Sequence, residues 1–155
     1  MVDILHRVGI TASPEDVSKA LTTIPGLAGW WTVDTDTKTH RLDGDDSVGG
    51  VIDFHFPVAG GSFGMKVLET KPGELVRWEV VHGPEEWVGT EVRFDLSTAD
   101  DYTIVLFKHE GWKEPVEFMY HCSTKWGSYL LSLKKYVETG TGDPAPRDVQ
   151  ISNWH

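Results

Sequence analysis

Few residues in this 155-residue chain have types and surroundings that could do chemistry, and the best placed is His109. It follows Val105 and Phe107 at alternate positions of an apolar-polar run. There an imidazole could hold a polar ligand group, or move a proton near neutral pH. A core histidine bonded to a helix or a backbone carbonyl fits the same position, because buried polar groups find partners. The structural role is preferred. His6 shares the Ile4/Val8 face by parity, and a helix C-terminus beside it would account for it without a function. Cys122 is the single cysteine, so no internal disulfide can form. Its neighbour His121 points about 100° away on a helix. No C-x-x-C or H-x-x-x-H spacing adds the further ligands a zinc site needs. Cys122 is expected as a small buried hydrophobe, and neither metal nor cofactor is expected.

Two further motifs lose their chemistry in context. Gly60-Gly61-Ser62-Phe63-Gly64 matches G-x-S-x-G, but a nucleophile elbow needs a helix after the serine. Met65-Lys66-Val67-Leu68-Glu69 reads as a strand instead, so the string is expected as a hairpin turn. Asp43, Asp45 and Asp46 lack the EF-hand spacing and its closing Glu. No phosphate loop or dinucleotide fingerprint occurs. What remains is aromatic, with seven Trp in the chain. Trp30, Trp31, Phe54, Met65, Trp78, Phe94, Phe107, Met119 and Trp126, with His109 and Cys122, form the candidate ligand-binding set. Such rings pack as core or brace a void. Their number favours a pocket above about 300 Å³, the lower end for ligand sites.

The elements that must position these groups follow from periodicity. Residues 3–12 alternate as a half-buried strand. Ser13-Pro14-Glu15-Asp16 then starts a helix, with a capping hydroxyl, a proline in the first turn and acids at its positive end. Ile24-Pro25-Gly26 is expected to break it, with Leu27–Trp31 as a second short turn or helix. Residues 34–48 are polar and aperiodic, a loop or a weak edge strand that could serve as a lid. Strands are expected over 50–56, 62–70, 74–82, 88–97 and 102–110, parted by turn signals. These short separations favour antiparallel neighbours. Val76, Trp78 and Val80 share one face, as do Val92, Phe94 and Leu96, whereas Arg77, Glu79, Glu91, Arg93 and Asp95 face water. Residues 114–138 repeat Phe118, Cys122, Trp126, Leu130, Leu133 and Val137 at helical spacing, and Gly140 and Gly142 stop the helix. The expectation is an α+β helix-grip fold: a curved antiparallel sheet of about six strands, two short helices after strand one, and a long C-terminal helix across the sheet. One domain is expected over 1–142, with 143–155 a tail on which Trp154 could anchor.

Bulk properties narrow the partners. The net charge of −10, from 14 basic and 24 acidic residues, gives no Lys/Arg stripe for nucleic acid and would repel an anionic membrane. Asp3, His6 and Arg7 interrupt any signal-peptide core, and no run reaches transmembrane length. The cytoplasm is the expected location.

Several strings resemble the SRPBCC superfamily, also called START-like, and within it the branch of homologues of the activator of the Hsp-ninety chaperone ATPase. They are Ala12-x-Pro14, Trp30-Trp31, Trp78, Thr90-x-Val92-x-Phe94-x-Leu96 and Val105-x-Phe107-x-His109-x-Gly111-Trp112. The most specific is Cys122-x-x-x-Trp126-x-x-x-Leu130-x-x-Leu133-Lys134, closing at Tyr136-Val137-Glu138-Thr139-Gly140. The resemblance implies a helix-grip fold with an internal cavity for apolar or amphipathic ligands, and no particular reaction. Three roles stay open. The first is non-catalytic binding of a small hydrophobic ligand between sheet and helix. The second is a cyclase- or hydratase-like enzyme with His109 as acid/base. The third is a chaperone-regulating interaction module. A homodimer and a chaperone partner are both compatible with these, and a non-enzymatic role is preferred.

Overall fold

The first strand, β1 (Val2–Ile10), gives way to helix α1 (Pro14–Thr22) where the Ser13 hydroxyl accepts the backbone N–H of Asp16 at 3.1 Å. This computed structural model describes residues 1–33, 40–56 and 61–155. The cap frees α1 to bury Val17, Ala20 and Leu21 on one side, as their spacing predicts. The Ile24-Pro25-Gly26 string corrects the sequence reading. It opens helix α2 (Ile24–Ala28) rather than merely ending α1. Thr23 caps it through Gly26 N at 3.0 Å, and Pro25 occupies the first turn, where a missing N–H costs nothing.

Six further strands follow: β2 (Arg41–Gly44), β3 (Val51–His55), β4 (Ser62–Lys71), β5 (Leu75–His82), β6 (Glu91–Ala99) and β7 (Tyr102–Trp112). Helix α3 (Glu117–Thr139) closes the order. All seven strands form one antiparallel sheet ordered β1-β7-β6-β5-β4-β3-β2. The strand beyond the expected six, β2, lies within the polar 34–48 segment. Its Leu42 is buried opposite Phe54, which one apolar residue in an acidic stretch hardly signals. Residues 34–39 of that segment, and Gly60 of the G-x-S-x-G string, lie outside the described residues. Ser62 opens β4, so strand rather than helix follows the serine. Register shifts in the β4–β5 ladder, between Gly64/Met65 and Val67/Glu69, bend the sheet around its apolar face.

Helix α3 starts at Glu117, later than the expected 114. Val116 is extended, and Pro115 biases Glu114 away from helical angles. It ends at Gly140 in the left-handed conformation at φ 90°, which a glycine adopts without strain. The helix lies along β1 in the same direction. Lys134 Nζ donates to Gly9 O at 2.7 Å, and Glu138 accepts Thr11 N at 2.8 Å. His6, earlier in β1, therefore meets the Ser123 carbonyl at 3.0 Å in the first half of the helix. The expectation that it sits at the helix C-terminus is corrected by this parallel course.

Gly29 lets the end of α3 approach α2. A Cβ there would stand 2.3 Å from the Tyr136 ring. Gly29→Ala should cost about 1–3 kcal/mol through overpacking. Urea unfolding of the variant measures it, and an unchanged midpoint would mean that the ring moves aside freely.

Candidate functional site

The apolar side of the sheet and the underside of α3 bring most of the predicted set together. Trp30, Trp31, Phe54, Met65, Trp78, Phe94, Phe107, His109, Cys122 and Trp126 are all buried, and Met119 is partly buried against them. Trp31, just after α2, is the hub. Its ring centroid lies 4.2 Å from Phe54, 5.0 Å from Trp126, 5.5 Å from Trp30 and 5.8 Å from Trp78. These are contact distances for aromatic pairs. Phe107 reaches Trp126 at 4.6 Å and Phe94 at 5.3 Å. Strand, short helix and long helix thus meet through rings.

His109 sits at one end of this cluster, fully buried, with both ring nitrogens engaged. The indole Nε1 of Trp126 can only donate, so the Nδ1 atom 3.1 Å away must accept. The ring proton then lies on Nε2 and is donated to Thr90 Oγ1 at 2.8 Å, whose own hydroxyl donates to the Trp87 carbonyl. This relay suits the neutral imidazole alone. Burial lowers the pKa of His109 from the ordinary 6.5 to about 3. Burial also pushes the Cys122 thiol up to about 12, against a weaker downward pull from the Trp87 indole N–H. A thiol held protonated is a poor nucleophile.

Trp87 and Trp112 flank the histidine, each with its ring centroid 5.1 Å from the imidazole. Among the described residues, neither indole N–H has an acceptor in hydrogen-bonding geometry, although both are buried. Trp87 escaped the sequence reading because it sits in the β5–β6 connection, outside the alternation of any strand. Trp112 stood in the Gly111-Trp112 string but was not assigned to the site. Phe63 and Tyr129 also join the cluster through Trp31, at 5.8 and 6.2 Å.

Among the described residues, two surface grooves lie against α3 on the side away from the sheet. One, of about 250 Å³, lies between Tyr120, Thr124 and the 151–154 segment. The other, of about 450 Å³, lies between Ser128, Leu131, Lys135 and the 147–149 segment. Both exist because residues 143–155 fold back on α3. Ala145 exchanges hydrogen bonds with the chain at 31–33, and Asp148 accepts from Lys125 at 2.6 Å and Tyr129 at 2.9 Å. Burial alone would raise the Asp148 carboxyl. Hydrogen bonds from Lys125, Tyr129 and His155 outweigh it and hold the pKa below the usual range. Trp154 stays nearly half exposed, edge-on to His121 at 5.5 Å. Among the described residues no group of three or more His, Cys, Asp or Glu is placed to hold a metal ion. No helix among them is long and apolar enough to cross a membrane.

Comparison with known proteins adds to this geometry. A family model described as "Activator of Hsp90 ATPase homolog 1-like protein" matches residues 11–138. Among solved structures, the Aha1 dimer from Colwellia psychrerythraea superposes with a TM-score of 0.79 at 44% identity, over 92% of this chain and 100% of that one. Protein SSP2350 from Staphylococcus saprophyticus gives 0.70 at 15% identity, over 91% and 95%. CalU16 from Micromonospora echinospora gives 0.66 at 21% identity, over 93% and 77%. The last two share the fold alone. No curated protein matches the sequence.

Proposed function

This chain belongs to the activator of Hsp90 ATPase homologue 1-like family, and on that premise we propose that it is a protein-interaction module that regulates a chaperone ATPase. The observation that carries the reading is the closure of the grip by rings. Trp31 touches Phe54 at 4.2 Å and Trp126 at 5.0 Å, so sheet and helix already meet where a guest would lie. An activity that works from the outside needs no space there. The outer sheet face offers a charged surface for it. Lys108, Arg93 and Arg77 stand side by side across β7, β6 and β5. Like charges in that position repel; Glu69 and Glu91, each at 2.9 Å, offset Arg77, and Asp95 at 2.7 Å offsets Arg93. The Colwellia relative is a dimer, and we extend self-association to this chain. The test is ATP turnover by an Hsp90-type chaperone from the same organism. Adding this protein should raise turnover several-fold, and an unchanged rate at saturating protein would end the reading.

One observation favours a second reading, a small ligand held in the grip. The buried indole N–H of Trp112, which has no acceptor, would gain from a guest carrying hydrogen-bond acceptors, as would that of Trp87, which reaches only the weakly accepting Cys122 sulfur. Such a guest would have to part ring contacts to enter. Saturable quenching of tryptophan emission by amphipathic carbonyl compounds supports it; a flat titration across the panel counts against it. An enzymatic use of His109 gains nothing from its contacts, since Thr90 and Trp126 do not titrate near neutral pH.

A further inference from the structure

Of residues 83–89, between β5 and β6, only Trp87 is buried. Glu85, Glu86, Val88 and Gly89 are exposed and Gly83 and Pro84 half-buried, whereas Trp87 is 8% exposed. Its ring leaves the connection and enters the end of the cluster that holds His109. The ring centroid lies 5.0 Å from Phe63 on β4, 5.1 Å from His109 on β7, and 6.3 Å from both Phe118 and Trp126 on α3. One side chain of a loop thus bridges sheet and helix, above the Cys122 sulfur that its N–H reaches.

The connection is built to move as a unit. Trp87 N and Val88 N both donate to Pro84 O, at 2.9 and 3.2 Å, so the turn holds its own shape. Beneath it the β5–β6 ladder is closed by Gly89 N to Val80 O at 2.9 Å and Val80 N to Thr90 O at 3.0 Å. Gly83 at φ 139° and Gly89 at φ 88° stand at its two ends, in backbone space that glycine enters freely. A swing about these ends withdraws one ring and breaks one weak N–H···S contact. The Trp87 carbonyl leaves the Thr90 N–H and hydroxyl and turns to water. Any other way into the cluster parts a strand ladder or lifts α3 from β1, so local opening is least costly here. With the ring withdrawn, the Cys122 thiol and the His109 ring lose their cover.

We propose that residues 83–89 form a hinged flap that carries Trp87 in and out of the ring cluster, and so gates the entry of small molecules to its His109–Cys122 end. The proposal deepens the second reading above, a small ligand in the grip, and rests on that reading only for the natural guest. Opening itself is measured separately, because Cys122 is the single cysteine and is buried. While covered it stays a protonated thiol and does not react. The experiment is labelling of the full chain with N-ethylmaleimide, followed by mass spectrometry. Labelling should run about 100-fold faster than global unfolding permits, and should barely rise with urea below the unfolding transition. Folded Trp87→Ala should label about tenfold faster again. Gly29→Ala, which weakens the fold beside Tyr136 at the other end of α3, should label at the wild-type rate.

Labelling with the full urea slope of unfolding, or sped up in Gly29→Ala in step with its lost stability, overturns the flap. So does a wild-type rate in Trp87→Ala, which places the opening elsewhere. Should Trp87→Ala fail to fold, fluorotryptophan NMR of the otherwise unaltered chain decides. The Trp87 line should show two-state exchange that the Trp31 and Trp78 lines lack, and its absence overturns the flap. An opening flap with a flat quenching titration upholds the flap and ends the ligand reading. A flap that never opens, with saturable quenching, overturns the flap and leaves the ligand reading standing.

Discussion

Lowering the pH from 6.5 to 4.5 should remove about 2–3 kcal/mol of stability through one side chain, His109. The folded ring holds a pKa of about 3 against the ordinary 6.5, because burial disfavours the charged form. The sign follows from where the proton binds. Between those values the unfolded chain takes up a proton that the folded chain refuses, so stability is complete above 6.5 and falls as pH drops toward 3. Each pH unit in that window is worth about 1.4 kcal/mol. Geometry reinforces the sign: a proton on Nδ1 would face the Trp126 N–H, a donor against a donor. The carboxylates held low by their partners, such as Glu69 beside Arg77 and Glu138 beside Lys134, lose their contribution in a more acid range. His121, also held low by burial, adds a smaller effect of the same sign.

Urea unfolding at the two pH values measures the loss, and His109→Gln should flatten most of it, since Gln can both accept from Trp126 and donate to Thr90. Should that variant fail to fold, nitrogen chemical shifts of His109 decide the matter. They should remain those of a neutral Nε2–H ring at pH 4.5. A protonated ring in a fully stable protein would refute the relay.

Trp31→Ala should be the most damaging single truncation, at about 3–5 kcal/mol. Six rings touch this indole: Trp30, Phe54, Phe63, Trp78, Trp126 and Tyr129. They come from the segment just after α2, from β3, β4 and β5, and from α3, so the hole left behind cannot close by moving any one element. The loss is a large share of the 5–15 kcal/mol that holds an ordinary domain together. Trp154→Ala, at a half-exposed ring in the tail, should cost less than about 1 kcal/mol. Equilibrium unfolding of both variants checks the contrast. Comparable small losses would mean that the rings line slack space rather than brace a packed core.

The sequence by itself determined the elements and their faces. Alternation in Val76-x-Trp78-x-Val80 and helical spacing in Cys122-x-x-x-Trp126-x-x-x-Leu130 are local signals, and the protein obeys both, as it obeys the Ser13 cap and the Gly140 stop. Charge and the missing ligand spacings bounded the chemistry in the same local way. Tertiary structure alone decided the rest, because it depends on partners far apart in the chain. The position of His109 in its strand suits a ligand-holding group or a core group alike, and only the tertiary structure brings Thr90, 19 residues away, and Trp126, 17 away, onto its two ring nitrogens. Pro25 could end one helix or begin the next, and the Thr23 cap chose the second. Trp87 entered the cluster from a connection with no period to betray it. Whether rings enclose a void or fill it turns on a few ångströms between centroids, and periodicity holds no information at that scale.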